Sequence, residues 1–165
     1  MRGSPSLCVV DANILIDLHI GGLLREVFAL PLRLVAPDVI IAELDEPDGK
    51  GLMAYGLGSE TLPGEQVLEV VALRARHRQV SANDLFALVL ARALKATLLT
   101  GDGHLRKVAE QEGVEVHGTL WVLDEMVRLG VVAPAGAAEA LERMLAQGRR
   151  LPEVECRRRL REWVR

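Results

Sequence analysis

The chain has 165 residues, half of them hydrophobic, and a formal net charge of −3. That length suits one body with a single core, the apolar content excludes a disordered chain, and the charge excludes an overall basic footprint. No apolar run nears the roughly 18 residues of a membrane span. The four apolar residues after MRGSPS are too few for a secretory signal.

Residues 1–6 read as a disordered leader. Cys8 and Cys156 lie far apart and in no metal or redox spacing, which suits a reduced, cytoplasmic protein. LCVVD, residues 7–11, reads as a buried strand ending on a carboxylate, and Asn13 to Ile20 as a helix closed by Gly21-Gly22. Leu23 to Leu30 suggests a second short helix stopped by Pro31. LRLVAP is strand-like, and Asp38 is placed to cap a helix from Val39 to about Glu46.

Residues 47–64, rich in Gly, Pro and Ser, read as loop with a little helix. QVLEVVAL fits a strand or a short helix equally well. Ser81 opens the most apolar helix of the chain, SANDLFALVLARALKA, followed by the short strand TLLT. GHLRKVAEQEG is amphipathic and VEVHG is a further strand. Three helices follow, over 119–129, 134–147 and 153–164. Alternating strands and helices predict an α/β fold with a parallel sheet.

Ligands of open parallel sheets bind beyond the carboxyl ends of the strands. Asp11 follows the first strand, and Asp102 lies two residues after Thr100 at the end of TLLT. Asp84 sits in the first turn of the buried helix. Glu43 shares a helix face with Val39 and Ile40. Each has an ordinary alternative: Asp11 and Asp102 can cap helices, Ser81 and Asp84 resemble a capping box, and Glu43 can be plain surface. Together they suggest one acidic cleft. Clustered carboxylates raise each other's pKa unless a cation intervenes, and Mg²⁺ or Mn²⁺ suits such an all-oxygen site. A metal there would activate water and stabilise a phosphodiester under attack. Asn13 would then orient a carboxylate or a metal-bound water.

VVDANILIDL, PDVIIAELDE and SANDLFALVLARALKATLLTGDGHLRKVAEQEGVEVHGTLWVL resemble, in order and spacing, the PIN-domain ribonucleases. The resemblance implies a three-layer α/β/α fold over residues 7–130, and 131–165 is similar to the helical C-terminal extension of a prokaryotic subgroup, packed on the same body. It implies Mg²⁺- or Mn²⁺-dependent endoribonuclease activity, with Asp11, Glu43, Asp84 and Asp102 catalytic and Asp11, Asp84 and Asp102 on the metal. Asn13 and Thr100 are then polar supports. Many relatives are toxins, so an antitoxin protein is a candidate partner, and relatives are often homodimers. Gly103 and His104 stand where some members carry a further acidic residue, which leaves four carboxylates for the site.

A haloacid-dehalogenase reading fails because Asn13 stands where a second aspartate is needed. The dinucleotide reading fails for want of a third glycine after Gly56-Leu57-Gly58 or Gly101-Asp102-Gly103, and no P-loop, H-E-x-x-H or G-x-S-x-G occurs. The four histidines share no ligand spacing, and His104 alone lies near the expected cleft. The competing class is a catalytically weak PIN-fold module that binds RNA or protein. Aromatics make up 3% of the chain, which argues against stacking readers of single strands. Phosphate contacts therefore fall to Arg74, Arg76 and Arg78, with Arg149, Arg150 and Arg157–Arg159 as a second rank; the alternative is arginines paired with neighbouring glutamates. VVALRAR and the apolar segments 23–30 and 52–57 offer surface for a homodimer.

Overall fold

The computed structural model describes residues 3–165. Five strands form one parallel sheet: β1 (Ser6–Val10), β2 (Leu32–Pro37), β3 (Gly58–Glu60), β4 (Thr97–Leu99) and β5 (Val116–His117). Their order is β3-β2-β1-β4-β5. Helices cover both faces in three α/β/α layers: α1 (Ala12–Gly21), α2 (Asp38–Glu43), α3 (Gly49–Ala54), α4 (Gly64–Arg76), α5 (Ala82–Leu94), α6 (Gly103–Gln111), α7 (Thr119–Arg128), α8 (Pro134–Ala146) and α9 (Glu153–Trp163). Covering both faces is why β1 reads as an unbroken apolar run: Cys8, Val9 and Val10 are all buried. The chain moves outward from β1 through β2 to β3, then returns to β1's other side at β4. The connection therefore reverses between β1 and β4, and a crevice opens beyond their carboxyl ends.

The expected leader falls partly outside the described residues, at Met1 and Arg2; Gly3 to Pro5 are irregular, and Ser6 already pairs with Leu32. The second short helix is only a 3-10 turn at Glu26–Ala29. Its Val27, with Leu23 and Leu30, is drawn into the core, so the fold closes around it before a full α-turn forms. α2 ends at Glu43 rather than Glu46, with Pro37 at its cap position. Asp38 instead accepts from its neighbour Val39 N–H and, at 2.9 Å, from the Thr61 hydroxyl beyond β3. QVLEVVAL belongs to α4, exposing Leu68 and Val71 and burying Val70 and Leu73.

The last two helices are built into the body. α8 packs on α1 at Gly21, where an added Cβ would lie 2.6 Å from Met144 Cε and 3.3 Å from Ala140 Cβ. Arg143 donates to the Gly21 carbonyl at 2.7 Å, and Gly22 takes the left-handed φ of 74° that ends α1. α9 is held to α7 by Arg159, whose guanidinium meets both carboxylate oxygens of Asp124, at 2.9 and 2.6 Å. Both cysteines are buried and unpaired. Among the described residues no helix is long and apolar enough to cross a membrane.

Candidate functional site

The crevice between β1 and β4 is built by caps. Asp11 directly follows β1 and accepts from Ile14 N–H at 3.1 Å, which starts α1. Its other oxygen accepts from the hydroxyl of Thr100, the residue after β4. The same hydroxyl accepts from Asp102 N–H at 3.1 Å, and Asp102 caps α6 through Leu105 N–H at 2.8 Å. Ser81 Oγ accepts from Asp84 N–H at 3.1 Å and fixes the first turn of α5. Asp11, Asp102 and Ser81 are thus real helix caps, while the return bond from the Asp84 carboxylate that a full capping box needs is not among the hydrogen bonds of the described residues. Capping accounts for the start of three helices, but not for why all three starts share one end of the sheet.

Asp11 is fully buried, and burial is the main reason its carboxyl is pushed up to about 7. The Thr100 and Ile14 bonds oppose the shift, while Asp84 and Asp17 add to it through their charge. Asp84 is also raised, first by burial, then by Asp102 and Glu43, against the Ser81 bond. The carboxylates thus repel one another across the crevice.

They do not line a single cleft. Glu43, at the end of α2, and Asp84 line a cleft of about 530 Å³ with Asn13, and Asn83 donates a short hydrogen bond to Glu43. Asp102 lines an adjoining cleft of about 280 Å³, which also contains Asn13. Asp11 lines neither, with both its oxygens engaged by Ile14 and Thr100. Among the described residues no three His, Cys, Asp or Glu side chains gather to hold a metal ion. By chemistry the donors suit a hard divalent cation: all are oxygens, they repel one another, and two are held toward their neutral form. In position they would have to turn inward to share one.

Asn13 joins the two clefts, and behind it stands a group that sequence reasoning missed. Asp17 is 3% exposed and accepts from Thr119 Oγ1 at 2.7 Å and from Arg149 Nε at 2.5 Å. The other arm of Arg149 reaches Asn13 Oδ1 at 3.5 Å. The signal was available in α1, where Asp17 lies four residues after Asn13 on the same helix face.

The basic residues divide. Arg149 pairs with Asp17, Arg157 with Glu153, Arg158 with Glu155, and Arg159 with Asp124 and Glu155. The expected second rank is therefore largely neutralised, as the glutamate-pairing alternative requires. Arg74 donates to the Arg78 carbonyl at 2.9 Å and shapes the turn after α4. Arg76 and Arg78 line a cleft of about 450 Å³ with His104 and Lys107.

The five-stranded parallel sheet with helices on both faces has the three-layer architecture of a PIN-like fold. A family model described as a PIN domain matches residues 7–165, and the chain belongs to that family. The match takes in α8 and α9 as well as the sheet. The fold is nuclease-like, and members of the family are generally nucleases that use divalent metals. No curated protein matches the chain.

Proposed function

We propose that this protein hydrolyses RNA phosphodiester bonds and uses Mg²⁺ or Mn²⁺ to do so. The observation that carries the reading is the meeting of Asp11, Thr100 and Asp102 where the sheet order reverses, with Asp84 close enough to raise the pKa of Asp11. Asp11, Asp84 and Asp102 would hold the cation, with Glu43 at the edge of the site. When bound, such a cation lowers the pKa of water and stabilises charge on the phosphate.

The chain's own residues do the positioning. Thr100 fixes the orientation of Asp11 and, by accepting from Asp102 N–H, sets where α6 begins. Asn83 restrains Glu43, and the Arg149–Asp17 pair holds Asn13 at the junction of the two clefts. Arg76 and Arg78, with Lys107, supply cations for phosphates flanking the scissile one, and Arg74 organises their turn.

The test is cleavage of single-stranded RNA with Mg²⁺, Mn²⁺ or EDTA. Cleavage should require a cation and vanish in Asp11→Asn and Asp84→Asn proteins that keep the wild-type circular dichroism spectrum. A second reading, a binding module with little turnover, draws on the complete burial of Asp11. RNA bound but uncut by the wild type with either cation would select it.

A further inference from the structure

We propose that the cavity beside Asp102, between the ends of β4 and β5 and the α8–α9 connection, is a subsite for one nucleotide of single-stranded RNA. Its base would lie against Trp121 and His117 and its phosphate on Arg106 and Arg150. The proposal deepens the ribonuclease reading and rests on it for the identity of the strand.

The cavity has a volume of about 360 Å³, within the range of small-ligand sites. Gly101 and Gly103, on either side of Asp102, form part of its wall, so it adjoins the acidic crevice directly. Neither glycine carries a side chain to separate the two. A strand whose phosphate sits among the carboxylates would have its neighbouring nucleotide within reach of this wall.

Part of the lining is aromatic. His117 ends β5 and Trp121 lies in the first turn of α7, and their rings stack with centroids 4.4 Å apart and planes 11° from parallel. Both line the cavity and both remain partly exposed. In a chain with so few aromatic residues, this pair is a platform for one base rather than a track for many. Phe28 and Tyr55 stack on each other elsewhere, and Trp163 is buried. Every base has a π-face, so such a platform reads stacking and not sequence.

The rim is cationic. Arg106 and Arg150 line the cavity, and neither has a carboxylate partner among the described ion pairs; Glu155 and Arg159 also line it, but Glu155 is paired with Arg158 and Arg159, and Arg159 with Asp124 as well. Arg106 lies across Gly118, where an added Cβ would come within 2.7 Å of its Nη2. Gly118 is the cap position of α7 and no side chain caps that helix, so its first-turn N–H groups add to the positive potential. A flat platform edged by two uncommitted guanidinium groups matches a nucleotide: a base together with an anion.

The test is made in EDTA, where no cleavage is expected, on the whole chain with a fluorescein-labelled oligouridylate, uridine 5′-monophosphate and inorganic phosphate. The oligonucleotide should quench wild-type tryptophan fluorescence saturably. Trp121→Leu should lose that quenching and bind about tenfold or more weakly by anisotropy. Trp121→Phe should lose the quenching and keep the affinity, which separates stacking from damaged packing. Arg106→Ala/Arg150→Ala should weaken binding and flatten its salt dependence. Equal affinity in Trp121→Leu, equal loss in the Phe and Leu variants, or equal quenching by inorganic phosphate would overturn the proposal. Because binding is read without a cation, the two readings can fail separately. An inactive protein that binds through Trp121 sinks only the nuclease; an active one indifferent to Trp121 sinks only the subsite.

Discussion

Thr100 and Asp11 are 89 residues apart in the chain, yet the hydroxyl of one donates to the carboxylate of the other where β4 and β1 end side by side. That bond holds a carboxylate in a place where burial favours its neutral form. The carboxyl of Asp11 stands at about 7 in the fold, against 3.8 when unperturbed. Between those values the folded state holds a proton that the unfolded chain releases. Cation-free stability should therefore fall as pH rises from about 4 to about 7 and level off above. Asp11→Asn keeps an oxygen for Ile14 and removes the charge. It should flatten this dependence and raise stability at pH 8 by about 2–4 kcal/mol, read by urea unfolding at pH 5 and pH 8. A wild-type curve that rises over that window would refute the assignment.

A cation that binds only the folded carboxylates stabilises the fold by mass action. Millimolar Mg²⁺ or Mn²⁺ at pH 8 should raise the melting temperature by roughly 2–4 °C or more. The shift should shrink strongly in Asp84→Asn, since Asp84 is the carboxylate on which Asp102 and Glu43 both bear. Equal shifts in the two proteins would remove Asp84 from the site.

Much of this was legible in the sequence, for identifiable reasons. β1, β2 and α5 announce themselves because burial on both faces leaves long apolar runs. Asp11, Asp84 and Asp102 were legible because each sits at a boundary between elements. β3 was not, since Gly58-Ser59-Glu60 has no apolar residue and is held at the sheet edge by pairing with Val35, Ala36 and Pro37. Nor was the Asp17–Arg149 pair, which joins residues 132 apart and depends on how α8 turns back toward α1. Local pattern cannot carry a contact of that range. Of the apolar segments expected to offer surface for self-association, Leu23, Val27, Leu30, Leu52 and Leu57 are core, whereas Met53 and Tyr55 in 52–57 and Val71 in VVALRAR are exposed, with Leu68 beside Val71 on α4.

Asp17 is buried and its charge is answered by Arg149. Removing only the arginine should therefore cost more than removing both groups. Arg149→Met should destabilise by about 2–4 kcal/mol at pH 7, and adding Asp17→Leu should restore much of the loss. An additive double mutant would mean the two do not act as a pair.

A homodimer is the expectation from the resemblance to PIN ribonucleases, and α4 is the face we propose for it. Leu68 and Val71, three residues apart, are 70% and 61% exposed. At tens of micromolar, light scattering should give twice the 18.0 kDa chain mass, and Leu68→Glu should return it to the monomer value. A dimer unaffected by that substitution would place the interface elsewhere.

If the chain is the proposed ribonuclease, an acidic protein has to hold RNA, and the ion pairs of α9 narrow the choice of cations. With Arg157, Arg158 and Arg159 committed to carboxylates, the open cluster besides Arg106 and Arg150 is Arg76 and Arg78 with Lys107, beside His104, the second residue of α6. His104 follows Asp102 by two residues, so this cleft is within one α-helical turn of the acidic crevice. Each phosphate contact on a single strand releases counterions, at about 0.7 in the slope of log affinity against log salt. In an Asp11→Asn background, Arg76→Ala/Arg78→Ala should flatten that slope by about 1.4 and weaken all RNA sequences alike. Arg74→Ala should do less, acting only through the Arg78 carbonyl it holds. If the double variant keeps the parent slope, these arginines do not touch RNA, and the strand must leave the crevice by another side.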